Sequence, residues 1–258
     1  MKRIIFSLVA VVLLVACAKK ETTPAYQTFK VLQDSLYIKL QSAQSAEEFN
    51  TIVEQFTTES YDLVMNNLED KTIDSILFNT KFLLSFEQKE AIYSALSAEQ
   101  MQGALVQKMY KNYQIEKATS PGNKYIDIAS LQPNGEKLAL SDLVGKTDYV
   151  LVDFWASWCR PCRQLSSTLK ELYAKYNPKG RLEILGVSRD QDEEEWLNAI
   201  EEDGMKWKQI RDQREEPYNP GDVYGIVAIP TTYLIDREGT ILFRNPSEAE
   251  IDSVLAQK

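Results

Sequence analysis

The sequence predicts an α/β domain, a mixed sheet flanked by helices, preceded by an all-α region. Three observations carry this reading. Residues 26–118 place apolar side chains at helical spacing, with no proline and one glycine, as a helical array does. Ser120-Pro121-Gly122-Asn123 then breaks the pattern and marks the boundary. Beyond it the order is hairpin, strand, helix, strand, helix, short strand, hairpin, helix. A strand–helix–strand unit followed by a hairpin and a helix implies helices on both faces of a mixed sheet.

In the helical region, Phe29, Leu32, Leu36 and Leu40 share one face. Ser45 and Glu48 have the spacing of a capping box, opening a helix with Phe49, Ile52, Val53 and Phe56 on its apolar side. A further helix carries Ile73, Ile76 and Leu77, and Ser97 with Gln100 caps one bearing Met101, Ala104, Leu105 and Met109. Phe49, Phe56, Phe82, Phe86 and Tyr93 are expected to face the core rather than to line a cofactor site.

In the second region, residues 125–129 and 137–140 flank Asn134-Gly135, a hairpin signal because both residues tolerate positive φ. Residues 142–146 form a short turn. The apolar run 149–155 reads as a central strand, and a helix over about 160–176 ends at Asn177-Pro178-Lys179-Gly180. Residues 181–188 are the next strand. Asp192-Glu193-Glu194-Glu195 puts acids in a first helical turn, where the dipole favours them, and Gly204 closes that helix. Residues 207–210 suit a short edge strand, 217–221 a loop and 222–225 one helical turn. Strands 231–235 and 240–244 enclose Arg237-Glu238-Gly239, and a final amphipathic helix over 247–257 turns Ile251, Val254 and Leu255 inward.

At the N-terminus, Lys2 and Arg3 precede a short apolar run ending in Leu14-Val15-Ala16-Cys17. The run is too short to span a bilayer comfortably and has the form of a secretory signal. Its end resembles the lipobox of bacterial lipoproteins, which implies cleavage after residue 16 and lipidation of Cys17. Residues 1–16 are then the signal peptide and 17–25 a lipidated tether, followed by the helical region 26–118 and an α/β domain over 121–258. Cleavage takes away two bases and no acid, leaving 27 basic and 38 acidic side chains, a net charge of −11. That balance argues against a nucleic-acid partner.

The chain has three cysteines and no histidine. With Cys17 lipidated, Cys159 and Cys162 form a self-contained pair, and in an exported protein a lone pair three residues apart reads as reactive. The absence of histidine weakens a zinc reading, and no metal is expected. The pair lies where strand passes to helix, so free backbone N–H groups and the positive end of the helix dipole favour a thiolate at Cys159. A thiol one turn on closes a small-ring disulfide, a two-electron couple that needs no other cofactor. Asp153 sits inside an apolar strand, where an acid is costly unless paired or neutralised, which points to a raised pKa and a proton-transfer role.

Three blocks carry a family resemblance: Leu151-Val152-Asp153-Phe154-Trp155-Ala156-Ser157-Trp158-Cys159-Arg160-Pro161-Cys162, Leu185-Gly186-Val187-Ser188 before an acidic helix, and the run from Tyr224 through Ile229-Pro230-Thr231 to Asp236. In this order they resemble the thioredoxin fold, and more narrowly the membrane-tethered TlpA/ResA-type thiol-disulfide oxidoreductases of bacteria. The resemblance covers about residues 121–258. It implies a cis bond before Pro230, with Ile229, Pro230 and Thr231 meeting the substrate chain. It also implies that Asp153 helps to deprotonate Cys162, that Trp158 forms an apolar shoulder beside an exposed Cys159 sulfur, and that Trp155 is core.

Two positions depart from the family pattern. Ser167 stands where a kinking proline is common, so a straighter helix is expected. Arg160, beside Pro161 within the motif, should favour the Cys159 thiolate and make the protein a stronger oxidant, unless its charge is screened by solvent. The function expected is that of an exported, lipid-anchored thiol-disulfide oxidoreductase on the periplasmic side of a membrane. Its substrates are disulfide- or thiol-containing proteins, apocytochrome c among the candidates, and an inner-membrane thiol transporter is the implied electron donor. The competing readings are a lipid-anchored adaptor or redox sensor working through the helical region, and a thiol peroxidase, against which Ala156 stands where a peroxidatic site has threonine.

Overall fold

A computed structural model describes residues 23–212 and 219–256, so Cys17, the expected signal peptide and most of the expected tether lie outside the described residues. The chain divides into two compact units between Gln114 and Ile115.

The first unit is helical. Helix α1 (Pro24–Ser42) starts within the stretch expected to be tether, because Thr23 caps it by accepting from the Tyr26 N–H and Pro24 suits a first helical turn. Helix α2 (Ala46–Met65) is capped by Ser45, and the Glu48 carboxylate reaches back to the Gln44 N–H at 2.8 Å. Helices α3 (Ile73–Thr80), α4 (Phe86–Ala95) and α5 (Ala98–Met101) follow. Capping boxes open α4 at Ser85–Gln88 and α5 at Ser97–Gln100.

The helix expected to run on from Ser97 is interrupted after Met101. It resumes at Ala104 as α6 (Ala104–Ala118), because Gly103 lowers the helical preference at the break. Phe29, Phe56, Val64, Ile76 and Ile92 centre the core of this unit. Phe82 corrects the expectation of a core aromatic: it is 52% exposed, with the Lys81 ammonium 4.4 Å from its ring centre. The division between the units falls inside α6 rather than at residues 118–121, since Glu116 already pairs with Arg244 at 3.0 Å.

The second unit is a seven-stranded mixed sheet in the order β2-β1-β5-β4-β3-β6-β7. Its strands are β1 (Ala129–Leu131), β2 (Lys137–Ala139), β3 (Tyr149–Trp155), β4 (Leu182–Ser188), β5 (Lys208–Arg211), β6 (Thr231–Asp236) and β7 (Ile241–Arg244). The first strand starts later than expected, because residues 125–128 make no ladder and instead the Tyr125 N–H donates to the Gly239 carbonyl. The residues expected to form an edge strand give β5, which is interior: β4 pairs with it in parallel on one side and β1 covers the other. Helix α9 (Pro220–Val223) begins two residues before the turn expected at 222, because Asn219 caps it through the Asp222 N–H.

Alternation along β3 divides the core into two layers. Leu151 and Trp155 face a layer formed with α7 (Arg160–Tyr176), α8 (Glu193–Asp203) and α10 (Glu248–Ala256). Val150, Val152 and Phe154 face the opposite layer with Leu140, Tyr224 and Tyr233. Helix α7 runs unbroken through Ser167. Gly180 and Gly204 take left-handed conformations that end α7's terminal turn and α8.

Candidate active site

The dithiol sits where β3 gives way to α7. Cys159 is the N-cap of α7, Pro161 lies in the first turn, and the Cys162 N–H donates to Cys159 Sγ at 3.3 Å. An otherwise unpaired helix N–H therefore points at the Cys159 sulfur, an arrangement that favours a thiolate at that position. The two cysteines are joined as a disulfide with Cα atoms 5.3 Å apart. Cys159 is not the exposed group expected: it is 5% exposed and Cys162 1%, because both belong to the apolar layer of Trp155, Ala156 and Leu169. Trp158 is the residue that projects, 64% exposed, whereas Trp155 is core.

Asp153 lies on the β3 face shared with Leu151 and Trp155, the face covered by α7 and hence by Cys162. It is 2% exposed, and its Oδ1 accepts no hydrogen bond among the described residues. Burial alone pushes its pKa up to about 7, so the carboxyl exchanges its proton near neutrality. The reactive pair and this acid thus belong to one apolar layer.

The Ile229–Pro230 bond is cis. Thr231 pairs with Phe154, which brings this bond to the end of β3 beside the dithiol turn. Ile229 packs on the layer that contains both cysteines. The Thr231 hydroxyl is committed to the Ala228 carbonyl at 2.8 Å and the residue is buried. Any contact of Thr231 with another chain must therefore come from its backbone. Arg160 and Pro161 are exposed, and Arg160 forms no ion pair among the described residues.

Three groups that the sequence reading did not single out hold this site. Buried Asp190 accepts from the Ser157 N–H at 3.0 Å, the Ser157 hydroxyl at 2.7 Å and the Ser188 hydroxyl at 2.7 Å. Its charge is thereby offset by three donors, and the turn before Trp158 is tied to the end of β4. Arg163 fixes the same turn from the other side, donating to the Ser157 carbonyl at 3.3 Å and to Asp203 Oδ1 at 2.8 Å. Gln209, 3% exposed, accepts from the Trp155 indole N–H at 3.0 Å. Only the position of Asp190 just past an apolar strand hinted at a buried acid; the other two depend on contacts between distant segments. Among the described residues no group of three His, Cys, Asp or Glu side chains is placed to hold a metal.

A mixed sheet, a dithiol capping the helix after its central strand and a cis-proline alongside define a thioredoxin-like domain, and the thioredoxin-like family model matches residues 146–241. The chain belongs to this family, among the relatives of the ResA thiol-disulfide oxidoreductases. It is 31% identical to ResA of Geobacillus thermodenitrificans over 139 residues, 54% of this chain and 76% of that protein. It is 33% identical to ResA of Bacillus thuringiensis over 108 residues, 42% of this chain and only 59% of that protein's length. The solved thioredoxin domain of a thiol-disulfide oxidoreductase from Bacteroides vulgatus shares 34% identity, covering 53% of this chain and 96% of that one, with a TM-score of 0.49.

Proposed function

We propose that the chain is an exported, lipid-anchored thiol-disulfide oxidoreductase that reduces disulfides of extracytoplasmic proteins. The observation that carries this reading is the closed Cys159–Cys162 pair at the head of α7, with the Asp153 carboxyl buried in the layer behind it. In the reduced enzyme the Cys159 thiolate attacks a substrate disulfide. A new S–S bond forms to Cys159, the substrate S–S bond breaks, and one substrate sulfur leaves as thiolate and is protonated. Asp153 takes the proton from Cys162, whose thiolate attacks Cys159 Sγ. The Cys159–Cys162 bond forms, the mixed disulfide breaks, and the second substrate sulfur leaves as a thiolate that receives this proton, the first having taken its proton from water. The substrate gains two electrons and two protons, and the enzyme ends as the disulfide seen here.

Trp158 offers the apolar shoulder, and the backbone of Ile229, Pro230 and Thr231 offers a strand edge to the substrate. An inner-membrane thiol transporter returns the enzyme to the dithiol, Cys17 holds it to the periplasmic side of a membrane, and apocytochrome c is one substrate that fits. No metal or organic cofactor takes part in this scheme. No helix among the described residues is long and apolar enough to cross a membrane. The test is insulin reduction with dithiothreitol as donor: Cys159→Ser abolishes turnover, and Cys162→Ser accumulates mixed disulfides on Cys159. Full activity in either variant overturns the proposal, and single-turnover oxidation without catalysis identifies an adaptor or sensor instead. In cells, Cys162→Ser captures the partners.

A further inference from the structure

Asp153 belongs to a row that crosses the sheet from Thr232 through Asp153 and Gly186 to Gln209. Residues aligned in this way send their side chains to the same face, so Asp153 and Gln209 share the layer that holds the dithiol. Between them Gly186 contributes no side chain, and the Gln209 amide lies over it. A Cβ on Gly186 would fall 2.1 Å from Gln209 Oε1 and 2.7 Å from Nε2. The amide thus occupies the place next to the Asp153 column, about one strand spacing from it, roughly 5 Å.

The orientation of this amide is dictated by chemistry. An indole N–H only donates, so the Gln209 atom 3.0 Å from Trp155 Nε1 is the oxygen. The other atom is therefore the nitrogen, which also lies over Gly186, and one of its hydrogens goes to Met205 Sδ at 3.3 Å, a weak acceptor. A primary amide has two N–H donors, which leaves the second available in a layer where Asp153 Oδ1 accepts nothing.

We propose that Gln209, seated over Gly186 and anchored by Trp155, is a positioning residue for Asp153: its amide nitrogen donates to the carboxylate when Asp153 ionises and so keeps it available as a base. The proposal rests on the assignment of Asp153 as the proton acceptor for Cys162. The other titratable groups around this layer are Cys159 and Cys162 at the head of α7, Tyr173 and Tyr176 along it, the Arg163–Asp203 pair between α7 and α8, Asp252 bonded to Tyr176, and Asp190 beyond β4. In the oxidised protein burial is what raises the Asp153 proton affinity. A donor to the ionised form acts in the opposite sense.

The test uses the oxidised full chain with 13C-labelled aspartate carboxyls, the Asp153 signal being identified by its loss in Asp153→Asn. Gln209→Met keeps the volume and removes both donors. Gly186 has an ordinary backbone conformation and the atoms nearest to an added Cβ are the movable end of the Gln209 side chain, so Gly186→Ala serves if Gln209→Met does not fold. Each variant is expected to raise the Asp153 titration midpoint by about one pH unit, and to shift the alkaline-rising limb of insulin reduction by the same amount. An unmoved carbon titration in a folded variant overturns the role of Gln209. If Asp153→Asn leaves the insulin pH profile unchanged, it is the base assignment that falls, and the carbon titration still decides whether Gln209 acts on Asp153.

Discussion

Replacing Asp153 by Asn keeps the shape of a side chain that is 2% exposed and removes its charge. In the oxidised protein this acid binds its proton more tightly folded, with a pKa of about 7, than unfolded, where the ordinary value is 3.8. Below the unfolded value both states are protonated and the group contributes no pH dependence. Between the two values only the unfolded state ionises, so stability falls as pH rises, and above the folded value the penalty is complete. A difference of about three units at about 1.4 kcal/mol each gives a penalty near 4 kcal/mol at pH 8. Burying the Asn amide recovers less than all of this, since an unpaired amide costs about 1–2 kcal/mol itself. Asp153→Asn is therefore expected to be more stable than the parent by about 2–3 kcal/mol at pH 8, and to lose that advantage by pH 4. All four tryptophans lie beyond residue 114, so urea unfolding followed by tryptophan emission isolates the unit concerned. A difference between parent and variant that stays constant from pH 4 to 8 would refute the reasoning.

Asp190→Ala leaves the Ser157 N–H and two hydroxyls without their shared acceptor; it is expected to cost about 3 kcal/mol in urea unfolding and to slow insulin reduction by loosening the turn before Cys159. Trp155→Phe strands the Gln209 oxygen in an apolar layer and is expected to cost about 1–3 kcal/mol, measured by the same unfolding followed by circular dichroism. Arg160 is exposed, so Arg160→Glu is expected to raise the Cys159 pKa by less than about one unit in dilute buffer and by almost nothing at about 1 M salt, read from the thiolate absorbance. A large shift that persists at high salt would mean that the guanidinium lies against the sulfur.

The signals that could be read from the sequence are local ones. β3 and α7 start and stop where their apolar run, the cysteine cap and Asn177-Pro178 predict, because each boundary is set by residues within one turn of it. Gly204 ends α8 for the same reason. The errors arise where distant segments decide. β5 reads as an edge strand by its length, yet the β1–β2 hairpin covers it. Phe82 reads as core by its type, yet the first unit's core closes without it. The dithiol and its buried acid announce themselves by spacing and by a charge in an apolar run. Asp190, Arg163 and Gln209 do not, since each depends on hydrogen bonds spanning 33 residues or more.

The hairpin that displaces β5 inward also determines what the sheet offers to other chains. Its outer strands are β2, three residues long with Lys137 at its start, and β7, four residues long and paired through an irregular register at Leu234 and Ile235. Short, charged or irregular margins are poor templates for a foreign strand. In the function proposed above, strand-like docking of a substrate is assigned to the segment beside Pro230, next to the cysteines, and the short outer strands offer a foreign strand little to pair with.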